Sequence, residues 1–267
     1  MLNTFQKAFS AYFVLLIAYW LVLFQSHQTS GVYNLFYSFL FSLIPLFGGL
    51  IGMFGSRIWN GLKSYVGKGV FYISFGLFAW GSGSMVWSYY NFFMDIPAPY
   101  PSLADLGFAP SVFFYGLGAI YLSKATGAKF GFRNKYAKVY VVVISLFILS
   151  MSYYALITVA RNGVLVSSNE NLLKIILDIA YPLGDVLSLT IAAIISGLSF
   201  NYMGGKYILD IISILLGLGV MFFADFIFSY TTTVGTFYNG NFGDLIFTVG
   251  LFLLSYGVLG FSKLKEF

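Results

Sequence analysis

Apolar runs about twenty residues long follow one another along almost the whole chain. They cover residues 8–25, 33–54, 69–92, 102–123, 137–160, 181–200, 207–230 and 242–262. Each run is long enough to cross the ~30 Å hydrocarbon core of a bilayer as a helix. Hydrophobic residues make up 59% of the 267-residue chain and charged residues 9%, which excludes an ordinary soluble domain. The sequence therefore predicts an all-α, polytopic integral membrane protein, with eight transmembrane helices in a single domain over residues 1–267.

Basic residues divide unequally between the two sets of connecting segments. Arg161 and Lys174 fall on one side of the predicted bundle. The others fall on the opposite side: Lys7, Arg57, Lys63, Lys68, Lys124, Lys129, Arg133, Lys135, Lys138, Lys206, Lys263 and Lys265. The positive-inside rule places the larger set in the cytoplasm, so we expect an N-in, C-in protein of the cell membrane. The net charge of +5 is then a topology signal, so we expect the lipid bilayer and no nucleic acid as a partner.

One short pattern recurs in this apolar background. Leu or Phe, then Ala or Gly, then Asp, is found as Leu103-Ala104-Asp105, Leu183-Gly184-Asp185, Phe223-Ala224-Asp225 and Phe242-Gly243-Asp244. These are four of only nine acidic residues. A carboxylate near the middle of a membrane helix costs about 2.5–3.5 kcal/mol, so such residues mark a site, a partner or an interfacial position.

Helix capping is the structural explanation for three of the four. Asp105, Asp185 and Asp244 each follow a Tyr-led turn, which predicts that they lie at the outer ends of helices four, six and eight. There a carboxylate can accept from free backbone N–H groups and meets the positive end of the helix dipole. The recurrence also predicts helical-hairpin repeats within residues 69–262.

Helix capping does not explain Asp225. It falls in the last turns of helix seven, where the dipole disfavours a carboxylate, and Phe223 and Phe226 beside it offer no hydrogen bond. It must find a donor on another helix, bind a cation or stay protonated. Asp225 is therefore the strongest single candidate for a binding residue.

A secondary set of candidates lies on the same predicted side. Glu170, Lys174 and Asp178 are spaced i, i+4, i+8, which indicates an amphipathic helix at the outer surface. Alternatively, Lys174 supplies a counter-charge to the acidic cluster, which Asp95 and Asp178 would join. Carboxylates of this kind suit protons and hard cations.

Several chemistries are disfavoured by what the chain contains. It has no Cys and one His, so thiol catalysis and bis-histidine haem ligation are excluded. None of the apolar runs holds a Lys well inside it for a retinal Schiff base, and no nucleophile–base motif is present. We expect no cofactor and no catalytic residues. Tryptophans such as Trp59 and Trp87 are interpreted as parts of interfacial aromatic belts.

The aspartate motifs resemble those of a known group of proteins. The run from Pro99 to Asp105 is similar to a proline–serine–x–alanine–aspartate signature of eight-helix membrane sensor regions. These regions precede diguanylate cyclase or histidine kinase domains in bacteria and archaea. The segment Tyr181–Asp185 resembles a second motif of that family, and Phe223–Asp225 with Tyr238, Gly240 and Asp244 resembles a third. Because this chain carries no output domain, the resemblance implies a cytoplasmic signalling or membrane partner chain.

Three functions remain open on this evidence. The first is a sensory or scaffolding protein with an acidic, outward-facing pocket for a cation, proton or small ligand, lined by the four motif aspartates. The second is a cation- or proton-coupled transporter using the same carboxylates. The third is an intramembrane, aspartate-dependent lipid hydrolase.

Overall fold

The computed structural model describes residues 3–125, 136–164, 171–199 and 206–262. Six charged residues used in the sequence analysis lie outside these ranges: Lys129, Arg133, Lys135, Glu170, Lys263 and Lys265. Within the described ranges the regular structure is helical, which confirms the predicted fold class.

Eight helices are long and apolar enough to cross a membrane. They are α1 (Thr4–Gln25), α2 (Val32–Gly55), α3 (Tyr65–Phe93), α4 (Asp105–Ala125), α5 (Ala137–Ser152), α6 (Leu172–Ser199), α7 (Ile208–Thr233) and α8 (Phe242–Gly260). A π-helical segment, Tyr153–Val159, continues α5, and short 3₁₀ segments link α2 to α3. The number and order of the spans agree with the prediction, and their orientation in the membrane stays a prediction.

The start of α6 differs from the predicted one. The helix begins at Leu172 and contains Pro182 in its interior, so the segment carrying Lys174 and Asp178 forms its first turns. The prediction of a separate surface helix is therefore wrong. Residues 172–180 are themselves rich in Leu and Ile, and an interior proline is tolerated in membrane helices because neighbours can satisfy the freed carbonyl.

Glycines allow α3 and α4 to cross at very short range. A Cβ atom added at Gly107 would overlap the Ala79 carbonyl oxygen and the backbone of Gly83. Small residues at membrane helix crossings permit this backbone approach and the van der Waals contact that accompanies it. The crossing lies two residues from Asp105, so it fixes the N-terminal end of α4.

The helices alternate in direction and give the bundle two distinct ends. We call the first the basic end; its described basic residues are Lys7, Arg57, Lys63, Lys68, Lys124, Lys138 and Lys206. There Lys68 lies 5.2 Å from the ring centroid of Tyr121, and Lys124 lies 5.7 Å from that of Tyr65. We call the opposite end, where the four motif aspartates lie, the cavity end.

A cluster of buried polar side chains lies at the basic end. Gln6 Nε2 donates to Asp210 Oδ1 at 2.7 Å and to the Tyr256 carbonyl at 3.2 Å, and Asn3 Nδ2 donates to the Leu259 carbonyl at 2.6 Å. Gln6 is 2% exposed and Asp210 7% exposed. Asp210, which the sequence presents as a simple boundary residue near Lys206, is therefore part of the contact between α1, α7 and α8.

The orientation can be checked with fusion reporters. We expect a reporter placed after Phe267, and a second one at Gly127, to be active in the cytoplasm only. Both positions lie on the side of the bundle whose connecting segments carry most of the basic residues. Reporter activity on the outer face at either position would contradict the N-in, C-in topology.

Candidate functional site

A cavity of about 890 Å³ opens between the helices at the cavity end. It lies within the size range of small-molecule sites, roughly 300–1,000 Å³. Six of the seven candidate residues from the sequence line it: Asp105, Asp178, Asp185, Asp225, Asp244 and Lys174. The motifs that repeat along the chain are therefore brought together in one place.

Asp95 lies apart from this group. It is exposed, has a positive φ of 50°, and lines a separate depression of about 520 Å³ with Asn34 and Asn239. The structure does not bring Asp95 together with the other candidates.

Asp105 accepts two strong hydrogen bonds. The backbone N–H of Ser102 donates to Asp105 Oδ2 at 2.7 Å, and the Tyr181 hydroxyl donates to Oδ1 at 2.6 Å. The first bond is a capping interaction at the start of α4. The second connects α4 to α6, so this carboxylate is accounted for by structural partners.

Asp244 is likewise engaged at a helix end. Its Oδ2 accepts from the Gly240 N–H at 2.5 Å and from Ser38 Oγ at 3.3 Å. Its own N–H donates to the Asn241 side chain at 3.0 Å, which is the N-cap bond of α8. Capping thus explains Asp244 as well.

Asp178 belongs to an ion pair at the mouth of the cavity. Arg161 Nη1 lies 3.6 Å from Asp178 Oδ1 and donates to the Asp178 carbonyl at 3.0 Å. Arg161 Nε donates to Ser229 Oγ on α7 at 3.3 Å, and the Tyr100 hydroxyl donates to Asp178 Oδ1 at 2.9 Å. Burial raises the pKa of Tyr100, and its hydrogen bond to Asp178 acts in the same direction, so the hydroxyl stays protonated and donating at neutral pH.

Asp185 occupies a different position from the predicted one. Because α6 begins at Leu172, Asp185 lies in the middle of the helix, where the backbone N–H groups are already used by the helix itself. The predicted capping role for this residue is wrong. It is 7% exposed and faces the cavity.

The partner of Asp185 is Asp225. The two carboxyl groups, on α6 and α7, are hydrogen-bonded to each other. A hydrogen bond between two carboxyl groups requires a proton on at least one of them, so the pair carries at most one negative charge. Of the three alternatives that the sequence left open for Asp225, the structure thus shows a hydrogen-bond partner on another helix. We call Asp185 and Asp225 the carboxyl pair.

A tyrosine hydroxyl beside the pair has no hydrogen-bond partner among the described residues. Tyr115, on α4, is 2% exposed, lines the cavity and lies within electrostatic range of Asp225. An unmade hydrogen bond at a buried polar atom costs about 1–3 kcal/mol. No sequence signal singled out Tyr115, because a lone tyrosine in a membrane helix carries no local pattern.

Aromatic rings form a large part of the cavity lining. We call this set the aromatic wall: Phe41, Trp80, Trp87, Phe228, Phe237 and Phe247. Consecutive rings of the wall have centroids 5.1–6.3 Å apart. Trp87 also donates from Nε1 to Asn239 Oδ1 at 3.2 Å, and its place in an interfacial belt stays a prediction.

The acidic residues do not form a metal centre in the described ranges. Within residues 3–125, 136–164, 171–199 and 206–262, no three acidic or histidine side chains lie close enough to hold a metal ion. Three of the five cavity aspartates already have structural partners. The carboxyl pair and the Tyr115 hydroxyl are therefore the groups best placed to meet a ligand.

Comparisons with known proteins identify no family for this chain. No protein-family model, no curated protein and no solved structure matches the chain. The fold and the buried aspartates thus describe a polytopic helical membrane protein, and its function is argued from the cavity.

The unpartnered state of Tyr115 can be checked by removing its hydroxyl. We expect Tyr115→Phe to leave the free energy of unfolding unchanged or to raise it, because no hydrogen bond is lost. Tyr37→Phe is the matched control, since the Tyr37 hydroxyl is bonded to Thr248 Oγ1 at 2.8 Å and its loss should cost about 0.5–1.5 kcal/mol. The measurement is unfolding of the purified protein in detergent. An equal loss in the two variants would mean that Tyr115 has a partner in the folded protein.

Proposed function

We propose that this protein is a membrane receptor whose cavity takes up a small ligand and whose helices report occupancy to a partner chain. The observation that carries the proposal is the cavity itself, whose lining combines a carboxyl pair, an unpartnered hydroxyl and several aromatic rings. Convergent polar groups in a largely apolar pocket are the usual features of a small-molecule site.

The packing towards the basic end favours binding over transport. The helices that line the cavity continue towards the basic end with apolar side chains that have no exposed surface: Ile44, Ile73, Leu77, Ile214, Leu251 and Leu254. A transporter needs a polar route to both sides at some stage of its cycle. Buried apolar side chains along this path are better suited to a site that fills and empties from one side.

The sequence resemblance supports the same proposal. The motifs similar to those of eight-helix sensor regions contain Asp105, Asp185, Asp225 and Asp244, and these residues line the cavity. In such a role the cytoplasmic output is supplied by a signalling or membrane partner chain. By the charge distribution, the cavity opens outward.

The carboxyl pair also supports a second candidate, an aspartate-dependent hydrolase. Two carboxyl groups that share one proton are the acid–base arrangement of aspartic proteases. A hydrolase of this kind would cleave a lipid or peptide bond inside the membrane, and would lose activity when either Asp185 or Asp225 is replaced by Asn.

The test is ligand binding to the purified protein in lipid nanodiscs. Three water-soluble probes of similar size and different charge are used: 2-phenylethylamine, 2-phenylethanol and 3-phenylpropionate. We expect at least one probe to raise the Tm, because a ligand at 100 times its Kd adds about 2.7 kcal/mol of stability. We also expect proteoliposomes not to accumulate that probe. No Tm shift with any probe, or accumulation against a gradient, would overturn the receptor proposal, and turnover of vesicle lipids would establish the hydrolase instead.

A further inference from the structure

The polar and aromatic groups that line the cavity indicate a class of ligand. This inference rests on the receptor function proposed above. We infer that the ligand is a small organic amine bound as a monocation. Its ammonium group lies between the carboxyl pair and the Tyr115 hydroxyl, and its apolar body lies against the aromatic wall. The inference rests on charge, hydrogen-bond capacity and the shape of the cavity, taken in turn.

Charge balance favours a single positive charge. The carboxyl pair is hydrogen-bonded and so carries at most one negative charge, which one monocation neutralises. Arg161 is a described cation that influences Asp185, and its guanidinium is engaged with Asp178 at the mouth. An anionic ligand at the same position would add a second negative charge beside the pair, which is unfavourable where water is excluded.

Hydrogen-bond capacity favours an ammonium group with N–H donors. A primary ammonium carries three donors and no acceptor. Asp185, Asp225 and Tyr115 each offer at least one oxygen acceptor, and each of them lines the cavity. The Tyr115 oxygen has no partner among the described residues, so an amine would satisfy a buried atom that the protein leaves unsatisfied.

The aromatic wall favours an organic cation over a metal ion. Aromatic faces attract cations through the ring quadrupole and also cover apolar surface. Ca²⁺ and Mg²⁺ take six or more ligands, mostly oxygen atoms, whereas the described residues hold no group of three acidic or histidine side chains suited to a metal ion. The volume of about 890 Å³ also far exceeds the space that one bare ion occupies.

The experiment compares the same three probes on the wild-type protein and on variants in nanodiscs at neutral pH. We expect 2-phenylethylamine to bind at least tenfold more tightly than 2-phenylethanol or 3-phenylpropionate, a difference of about 1.4 kcal/mol. Asp225→Asn should weaken amine binding by at least about tenfold, because it replaces one carboxyl oxygen, an acceptor for the charged ammonium, by an NH2 donor that repels it. Asp95→Asn is the matched control: it removes one carboxylate at the same end of the bundle, but outside the cavity, and should leave the Kd unchanged.

A second variant keeps the test decisive if Asp225→Asn fails to fold. Tyr115→Phe removes only an unpartnered hydroxyl, and we expect it to weaken amine binding severalfold while leaving the affinity for 2-phenylethanol unchanged. Equal or tighter binding of the neutral or anionic probe would overturn the amine inference and leave the receptor proposal standing. An amine affinity unchanged in Tyr115→Phe would also overturn the inferred binding position. Failure of all three probes would overturn the receptor proposal itself.

Discussion

Alanine at Gly107 should destabilise the protein by about 1–3 kcal/mol, the usual range for overpacking a well-filled interior. The added Cβ would overlap the backbone of α3 at Ala79 and Gly83, and a backbone, unlike a flexible side chain, cannot rotate away. The two helices must separate, and the N-terminal turn of α4 that carries Asp105 must move with them.

Gly116→Ala is the matched control for this substitution. Gly116 lies on the same helix and is also buried, but an added Cβ would meet only Ile191 Cδ1 at 3.7 Å. Alanine is favoured over glycine in a helix by about 1 kcal/mol, and this gain applies at both positions. We therefore expect Gly116→Ala to be neutral or stabilising in detergent unfolding. Equal effects of the two changes would show that the α3–α4 crossing is less close than described.

Loss of the Gln6 side-chain amide should destabilise the opposite end of the bundle. Gln6→Met keeps the length of the side chain but removes the donor to Asp210 Oδ1, and we expect a loss of about 1.5–3 kcal/mol, the range for a hydrogen bond to a charged group. The buried carboxylate of Asp210 loses a partner that water cannot replace.

A double-mutant cycle separates this effect from lost packing. In an Asp210→Asn background the charge is gone, so Gln6→Met should cost clearly less than in the wild-type protein. The free energy of unfolding of the four proteins gives the coupling between the two side chains. Additive effects, within about 0.3–0.5 kcal/mol, would contradict the direct bond between Gln6 and Asp210.

Helix number and order followed from the sequence because each apolar run is long enough to be recognised without tertiary information. The start of α6 did not follow, since Pro182 and the turn-like residues around Tyr181 resemble a helix start when only local sequence is considered. The mistaken boundary also produced the mistaken capping role of Asp185. Local patterns thus predicted the positions of the spans well but misplaced the start of α6.

The candidate site was also predicted only where local sequence carries the information. The repeated motif found four cavity aspartates, and the helix dipole correctly separated Asp225 from the caps. The pairing of Asp225 with Asp185 depends on how α6 and α7 face each other, which no local pattern encodes. Tyr115 and Asp210 were missed for a related reason: their roles come from groups far away in the chain.

The length of α6 has a consequence for the membrane around the protein. Its 28 residues correspond to about 42 Å at 1.5 Å per residue, whereas the hydrocarbon core is about 30 Å thick. Such hydrophobic mismatch is relieved by tilting or by projection beyond the core. The first turns of α6, with Lys174 and Asp178, then stand among the lipid headgroups. For the proposed receptor, bilayer thickness and headgroup charge are therefore expected to act directly on the mouth of the cavity.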